Sequence, residues 1–196
     1  MTGAPDRGAV PAAPLLAEVS KLKAELAAAR ARIAELEARA DVDPLTNILN
    51  RRGFERELAR SLAHVKRYGS KAVLIYLDLD DFKSVNDRHG HAAGDALLKG
   101  VAARLTRHVR ASDVTGRLGG DEFAVMMWNL DMAAAEAKTR EMETLIAKER
   151  VNHGGVEISV GASAGFAALE KGHTAAQAID AADKLMYARK NARRGT

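Results

Sequence analysis

The chain has 196 residues, of which 47% are hydrophobic and 29% are charged, as expected for one soluble globular domain with room for an additional element. It contains no cysteine, which excludes disulfide bonds and thiolate metal sites. The formal net charge of +4 weakly favours anionic ligands such as phosphates. Because the basic residues are scattered and aromatic residues are few, we do not expect a nucleic-acid-binding surface.

The first segment, residues 1–14, is rich in glycine and proline and is predicted to be a flexible lead. It lacks the apolar stretch of a secretory signal. The longest dense apolar run, residues 72–77, is far shorter than the ~20 residues that span a bilayer. We therefore expect a cytoplasmic protein without membrane insertion.

Residues 15–42 carry a seven-residue apolar repeat, which predicts a coiled coil. The a positions hold Val19, Leu26, Ile33 and Ala40, and the d positions hold Leu15, Leu22, Ala29 and Leu36. The g and e positions that face each other in a parallel pair of helices carry opposite charges, in the pairs Glu18 with Lys23, Glu25 with Arg30, and Arg32 with Glu37. We predict a parallel homodimer through this segment. The alternative is one amphipathic helix packed on its own domain.

The rest of the chain, residues 43–196, alternates helical and strand patterns and is predicted to form one α+β domain. Helices are expected at residues 50–67, with Asn50 as a cap, and at residues 95–109, 132–147 and 175–193. Strands are expected at residues 72–80, 113–118 and 122–128, with further strand material in residues 156–168 that is broken by Gly161 and Gly165. Gly119 and Gly120 could adopt the positive φ angles of a tight hairpin. This pattern predicts an antiparallel hairpin at the centre of the domain.

Acidic residues lie at the end of the strand 72–80 and at the tip of the glycine hairpin. Asp78, Asp80 and Asp81 repel one another at the end of the strand, and a divalent cation would remove that repulsion. If the hairpin lies beside this strand, Asp78 and Asp121 can share hard cations, and Glu122 lies next to them. Oxygen ligands favour Mg²⁺ or Mn²⁺ over zinc. The simpler alternative is a solvated acidic turn.

The segment after the acids has residues suited to a nucleotide. Lys83 can neutralise a phosphate, and Gly90 and Gly94 permit close approach of the backbone to a ligand. Asn86 and Asp95 can contact a base edge, and a carboxylate accepts the N1–H and amine donors of guanine, which adenine lacks. Alternatively, Asp95 caps a helix that begins there and Lys83 is merely solvated.

Four motifs, in order along residues 43–195, resemble the GGDEF family of diguanylate cyclases. The first is Asp43-Pro44-Leu45-Thr46 with Asn50-Arg51-Arg52, and the second is the run from Asp78-Leu79-Asp80 through Phe82-Lys83, Asn86-Asp87 and Gly90-His91 to Gly94-Asp95. The third is Leu118-Gly119-Gly120-Asp121-Glu122-Phe123, and the fourth is Asp183 with Tyr187 and Lys190. The resemblance implies a mostly antiparallel central sheet flanked by helices, similar to the palm of nucleotidyl cyclases. His91 is interpreted as structural.

The resemblance also implies site residues and a reaction. Asp78 and Asp121 would bind Mg²⁺ with the Leu79 carbonyl, and Glu122 would support the metal site or the attacking hydroxyl. The residues implied in substrate binding are Asn86 and Asp95 for guanine, Phe82, and Lys83, Lys190 and Arg194 for phosphates. Two protomers, each holding one GTP, would form cyclic di-GMP and two pyrophosphates. The dimeric segment would bring the two half-sites together.

Arg110 and Asp113 resemble the Arg-x-x-Asp site through which the product inhibits this family. Arg110 could instead simply favour the C-terminus of the preceding helix. The chain departs from the family pattern at Asn47, where Asn tolerates left-handed backbone, and at Arg193, which stands where a glycine is usual. The second departure leaves open whether Arg193 or Arg194 contacts phosphate.

Four functions remain open from the sequence. The favoured one is an active diguanylate cyclase, because Asp78, Asp121 and Glu122 are all present. A silent module could bind GTP or cyclic di-GMP as a signalling receptor. A cyclase of mixed purines is less favoured because Asp95 is intact. A pure dimerisation protein would leave the acids and glycines unexplained.

Overall fold

The computed structural model describes residues 12–39 and 41–194 of the chain. These residues fall into two units, one ending at Ala40 and the other beginning at Asp41. Within the described residues, no helix combines the length and the hydrophobicity needed to cross a bilayer.

The first unit is a single helix, α1 (Ala12–Arg39). It begins three residues before the predicted start, inside the segment that was predicted to be flexible, and residues 1–11 lie outside the described part of the chain. The apolar side chains of the repeat are exposed in the single chain, with 52% of Leu26 and 55% of Ile33 accessible. Ala40 and the Leu15 side chain lie outside the described residues, and the coiled coil itself stays a prediction.

The second unit is an α+β domain around a five-stranded sheet. Its strands are β1 (Leu49–Asn50), β2 (Ala72–Asp80), β3 (Val114–Arg117), β4 (Glu122–Trp128) and β7 (Gly161–Ala168), in the order β1-β3-β4-β2-β7. Its helices are α2 (Arg51–Tyr68), α3 (Phe82–His89), α4 (His91–Arg107), α5 (Met132–Ala147) and α6 (Ala175–Arg194). Only the β1–β3 pair is parallel within this sheet. The predicted mostly antiparallel sheet flanked by helices is confirmed.

Strand β2 lies in the middle of the domain and is covered on both faces. Ile75 and Leu77 pack in a core with α4 and α5, whereas Leu74 and Tyr76 face the opposite core with α2 and α6. Burial of both faces explains why the strand is a continuous apolar run instead of an alternating one. Its last residues, from Asp78 to Asp80, bring carboxylate side chains to the end of the strand.

The segment after β2 differs from the prediction of one helix at residues 95–109. Two helices, α3 and α4, meet at Gly90, whose φ of 83° and ψ of 161° suit glycine. Because α4 begins at His91, Asp95 lies inside the helix, and its predicted alternative role as the cap is wrong. The sequence signal for α3 was missed because its short apolar pattern is weak.

The strand material in residues 156–168 is divided before Gly161, whereas the break expected at Gly165 is wrong, because β7 continues through that residue. A separate two-stranded hairpin is formed by β5 (Val151–His153) and β6 (Val156–Ile158), and β7 begins only at Gly161. The turn between β5 and β6 consists of Gly154 and Gly155, with φ angles of 60° and 82°. These positive angles are those of a tight hairpin turn.

The start of the domain is fixed by two asparagines. Asn50 caps α2, because its side-chain oxygen accepts a hydrogen bond from the Gly53 N–H at 2.9 Å. Asn47 has a φ of 59° and thus adopts the left-handed backbone conformation that asparagine was expected to tolerate. Both predictions for this segment are confirmed.

Candidate active site

The acids from the strand and from the hairpin come together through the register of the sheet. Strand β2 pairs antiparallel with β4, and Asp78 lies directly opposite Glu122. The Leu79 N–H donates to the Asp121 carbonyl oxygen at 3.1 Å, which holds the strand end against the hairpin tip. The structure therefore places the predicted acids Asp78, Asp121 and Glu122 at one end of the same strand pair.

The hairpin tip does not have the geometry predicted for its two glycines. Neither Gly119 nor Gly120 has a positive φ, and the loop closes by a 2.9 Å bond from the Leu118 N–H to the Glu122 carbonyl. Gly119 is needed for a different reason, since a Cβ there would lie 2.1 Å from Glu122 Oε2. The absence of a side chain at residue 119 makes room for the catalytic candidate Glu122.

Arg51 holds the hairpin tip and was given no role by the sequence analysis. Its Nε donates to the Leu118 carbonyl at 2.8 Å, and its Nη2 lies 3.4 Å from Glu122 Oε2. The buried Tyr76 lies next to the same carboxylate, and burial together with Glu122 raises the pKa of Tyr76 above its ordinary value. Glu122 is thus set between a cation and a neutral phenol.

Arg117 is a second support of the tip that sequence reasoning missed. Its guanidinium donates to the Gly120 carbonyl at 2.7 Å and lies 3.3 Å from the Asp43 carboxylate. Asp43 also accepts two bonds from Thr46, at 2.6 and 2.8 Å. The first residues of the domain are thereby tied to the hairpin that carries the acids.

Lys190 reaches the acidic cluster from α6. Its ammonium contacts Asp78 directly and lies 3.4 Å from Asp80 Oδ1. Asp80 also accepts a 2.9 Å bond from the Ser163 hydroxyl of β7. The predicted phosphate-binding lysine therefore serves in this structure as a counterion of the strand-end carboxylates.

The electrostatics of the site follow from this crowding of acids. Burial and the charge of Asp78 raise the pKa of Asp121, and burial and the charge of Glu122 raise the pKa of Asp183. Burial would lower the pKa of Lys190, but its hydrogen bond and charge interaction with Asp78 raise the pKa above the ordinary value. The site has an excess of negative charge that favours a cation.

The donor set fits a hard cation with few protein ligands. Among the described residues, no three histidine or carboxylate side chains are grouped closely enough to hold a metal by themselves. Asp78 and Asp121 are two carboxylates linked through the backbone of Leu79, which leaves further coordination positions for a carbonyl, water or substrate. Mg²⁺ is bound in this way at many phosphate-transfer sites.

The predicted nucleotide residues lie at the junction of α3 and α4. Phe82 is buried, and a Cβ on Gly94 would lie 2.0 Å from Asn86 Oδ1, so the glycine makes room for the amide of Asn86. The backbone carbonyl of Asn86 also accepts a hydrogen bond from the Gly90 N–H at 2.8 Å. Asp95 and Lys83 are exposed on these two helices.

Arg193 and Arg194 close α6. Arg193 Nη2 donates to Glu143 Oε2 at 2.5 Å, and the Arg194 side chain lies outside the described residues. In this structure Arg193 is therefore bound to α5 and is not directed to the acids at Asp78.

Arg110 and Asp113 border a separate cavity of about 670 Å³ between α4, the β3 strand and residues 42–49. Arg110 is exposed, whereas both carboxylate oxygens of Asp113 have backbone partners. They accept from the Arg110 N–H at 3.0 Å and from the Trp128 N–H at 3.2 Å. Asp113 thus shapes the loop, while the Arg110 guanidinium is available to a ligand.

Comparison with known proteins gives relatives along nearly the whole chain. The sequence is 39% identical over 168 residues to the probable diguanylate cyclase DgcE of Escherichia coli, covering 85% of this chain and 15% of that protein. It is 34% identical over 199 residues to the diguanylate cyclase TpbB of Pseudomonas aeruginosa, covering 98% of this chain and 46% of that protein. The chain thus spans less than half of the length of either relative.

The fold also matches solved structures. A sensory box/GGDEF family protein from Caulobacter crescentus aligns with a TM-score of 0.73 and 37% identity over 78% of this chain and 99% of that one. The coiled coil and GGDEF domain of DgcB from the same organism, solved with c-di-GMP, aligns with a TM-score of 0.73 and 27% identity over 91% of this chain and 95% of that one. The sequence profile described as "Diguanylate cyclase, GGDEF domain" matches residues 40–196. The chain therefore belongs to the GGDEF-domain family of diguanylate cyclases.

Proposed function

We propose that this chain is an active diguanylate cyclase that condenses two GTP molecules into cyclic di-GMP and two pyrophosphates. The observation that carries the proposal is the sheet register, which sets Asp78 opposite Glu122 and bonds Leu79 to Asp121. In each of two steps, the 3′-oxygen of one GTP forms a bond to the α-phosphorus of the other. The bond from that phosphorus to the β-phosphate oxygen breaks, and pyrophosphate leaves.

Members of this family generally use divalent metal ions. We assign Mg²⁺, or Mn²⁺ in its place, to the carboxylates of Asp78 and Asp121 with the Leu79 carbonyl. When bound there, the ion would supply charge neutralisation at the phosphate and would lower the pKa of the attacking hydroxyl. Glu122, held by Arg51, is placed to accept the hydroxyl proton or to support the metal ligands.

The chain's own residues would orient the nucleotide. Asn86 and Asp95 offer an amide and a carboxylate to the guanine edge, and a base without the N1–H and amine donors would leave Asp95 unpaired. Lys83 and Lys190 supply positive charge for the β- and γ-phosphates. The contact of Lys190 with Asp78 implies that its ammonium moves from a carboxylate to a phosphate when the nucleotide arrives.

The reaction requires two nucleotides in opposed half-sites, because the two 3′-hydroxyls attack each other's phosphates. The exposed apolar repeat of α1 supports a parallel coiled coil as the device that holds two domains together. Tethering raises the effective concentration of the second half-site.

Product inhibition is proposed at the cavity beside Arg110 and Asp113. The exposed guanidinium of Arg110 can donate in parallel to guanine O6 and N7 or to a phosphate. The loop that presents it is fixed by the two backbone bonds to Asp113. Because this cavity is lined by residues other than the acids at Asp78, its occupancy can be measured apart from turnover.

The deciding experiment is a product assay. Purified protein is incubated with Mg²⁺ and GTP, with ATP, or with both, and the products are separated by chromatography and identified by mass. Cyclic di-GMP from GTP alone, abolished by Asp78→Asn, supports the proposal. A mixed purine product would contradict the guanine selectivity assigned to Asp95.

The second candidate is a silent receptor module, which shares the binding sites but not the turnover. Absence of product together with calorimetric binding of GTP or cyclic di-GMP would establish this function in place of the cyclase. The intact acids of the tip and the arginine that holds them favour the active enzyme.

A further inference from the structure

The last two turns of α6 are held differently from the rest of this helix. Its first part packs into the core through Ala178, Ala182 and Met186, and it approaches β7 so closely that a Cβ on Gly165 would lie 2.2 Å from the Met186 backbone nitrogen. From residue 187 to residue 193 none of the residues is buried. Apolar packing therefore fixes α6 up to Met186 and not beyond it.

Charged side chains anchor these last two turns. Arg189 lies 3.1 Å from Glu136 of α5, and Arg193 lies 2.5 Å from Glu143 of the same helix. Lys190 lies between the two arginines in sequence, but its ammonium contacts Asp78 of β2 and not a residue of α5. The direction of Lys190 thus depends on polar contacts made by its neighbours on the helix.

Glu143 is the buried member of this set. Only 8% of the residue is exposed, whereas the Glu136 side chain is 38% exposed. Glu143 Oε1 accepts the Ala164 N–H of β7 at 2.9 Å, and Ala164 lies opposite Leu77, next to Asp78. A buried carboxylate without a cationic partner is strongly destabilising, so the pairing with Arg193 is favoured.

We propose that Glu143 and Arg193 are positioning residues, which fix the end of α6 and thereby direct the Lys190 ammonium to the acids where nucleotide phosphates would bind. The chain of contacts runs from the edge of β7 through Glu143 and Arg193 to the turn that carries Lys190. The part that concerns phosphates rests on the proposed function, whereas the positioning of α6 does not.

The Glu143–Arg193 ion pair also distinguishes the role of Arg193 from that of Arg194. In the proposed arrangement Arg193, bound to Glu143, acts through Lys190 and does not itself contact a phosphate. Arg193 stands where the family pattern usually has glycine, so this anchor belongs to a departure of this chain from the pattern.

The first test measures hydrogen exchange of the α6 backbone in the full chain. Arg193→Met and Glu143→Gln should each accelerate exchange of the amides of residues 189–193 by about tenfold, because local opening of the last turns becomes easier. Glu143→Gln keeps an oxygen for the Ala164 N–H and so spares the strand. The matched control is Lys184→Met, which removes an exposed ion pair with Asp180 on the same helix.

The second test measures the affinity of magnesium pyrophosphate by calorimetry, without turnover. Arg193→Met should weaken binding about fivefold, because the Lys190 ammonium is then less often directed to the acids, while the melting temperature changes by no more than a few degrees. Arg193→Lys should restore most of the affinity because it keeps the charge for Glu143. Lys184→Met should match the wild type.

Unchanged exchange of residues 189–193 in Arg193→Met overturns the proposal, as does an equal loss of affinity in the Lys184→Met control. If Arg193→Met weakens pyrophosphate with normal exchange, Arg193 contacts the phosphate itself and the positioning role is wrong. If the wild type makes no product but the exchange results hold, the proposed function fails and the positioning of α6 stands.

Discussion

Asp121 is held among other carboxylates, and burial and the charge of Asp78 raise its pKa. A cation that binds there relieves this repulsion, so Mg²⁺ should raise the melting temperature of the protein. Asp121→Asn keeps the shape but removes a metal ligand and its charge. We expect turnover to fall by about a hundredfold or more and the thermal shift with Mg²⁺ to disappear.

The matched control for this prediction is Glu141→Gln, the same loss of charge on an exposed side chain of α5. It should keep both turnover and the thermal response to Mg²⁺. A wild-type thermal response in Asp121→Asn would remove this residue from the metal site.

Asp43 gives a prediction for pH. Burial would raise its pKa, but the hydrogen bonds from Thr46 and the charge of Arg117 outweigh burial and lower the pKa below the ordinary value of an aspartate. A lowered folded-state pKa means that the stabilisation is fully present above the unfolded-state value and is lost as the pH falls through the folded-state value. Asp43→Asn should lower the free energy of unfolding by about 1 kcal/mol at neutral pH.

The measurement is urea denaturation of the wild type and Asp43→Asn at pH 7 and at a series of acidic pH values. The difference between the two proteins should persist until the pH falls through the lowered folded-state pKa of Asp43 and should shrink below it, because Asp43 is then protonated in both states of the wild type. A difference that stays constant with pH would show that the charge of Asp43 does not stabilise the fold through Arg117.

At the residue scale, the sequence predicted the acids but not their partners. Asp78, Asp121 and Glu122 are recognisable because clustered carboxylates at strand ends are unfavourable without a cation. Arg51 is 71 residues away from Glu122, and Lys190 is 112 residues away from Asp78. No sequence spacing specifies such contacts, since they depend on how the strands and α6 are ordered in space.

At the element scale, the β3–β4 hairpin contains Gly119, whose substitution should move the Glu122 side chain without lowering the stability of the fold. A Cβ at residue 119 would displace the end of a flexible side chain, that of Glu122, and not backbone. Gly119→Ala should therefore lower kcat by about tenfold or more and leave the melting temperature nearly unchanged. Gly120→Ala is the control, because a Cβ there meets nothing within 4 Å.

Equal activity losses in Gly119→Ala and Gly120→Ala would contradict the role given to Gly119. They would show that the tip as a whole needs glycine flexibility, independent of where the Glu122 carboxylate lies.

The loop after α4 carries the proposed inhibitory site, and its two named residues are not equivalent in an experiment. Asp113→Ala would remove the carboxylate that accepts hydrogen bonds from two backbone N–H groups and would deform the loop, whereas Arg110→Ala removes only an exposed guanidinium. We expect Arg110→Ala to weaken binding of cyclic di-GMP by about tenfold or more. Calorimetry with the product measures this directly, and an unaltered affinity would exclude the site.

The long elements were predictable and the short ones were not. Helix α5 and strands β2 and β4 have the predicted bounds, because their apolar patterns, periodic in the helix and continuous in the strands, extend over at least seven residues. The break between α3 and α4 depends on the backbone angles of Gly90, and the β5–β6 turn depends on those of Gly154 and Gly155. A glycine can occupy many conformations, so its presence does not specify which one the tertiary structure selects.

At the scale of the whole molecule, the proposed dimerisation rests on α1. Leu22→Asp with Ile33→Asp puts two charges into the apolar repeat and should convert dimers into monomers in analytical ultracentrifugation. Specific activity should then collapse at low protein concentration, since half-sites meet only by diffusion. Lys21→Asp with Ala31→Asp changes positions outside the stripe and is the matched control.

A double variant of Leu22 and Ile33 that is monomeric and yet fully active at all concentrations would show that α1 does not activate the enzyme. A variant that remains dimeric would place the dimer interface elsewhere in the chain.

The ion pair between Lys190 and Asp78 has a consequence for synthesis of the protein. A growing chain on the ribosome releases the acidic strand and the hairpin long before α6 emerges, so Asp78 and Asp80 lack their Lys190 counterion during that interval. The nascent domain should consequently depend on magnesium or on late docking of its last helix to close the sheet. Translation that stops before residue 190 would leave a product that contains the acidic residues but lacks the Lys190 counterion of Asp78.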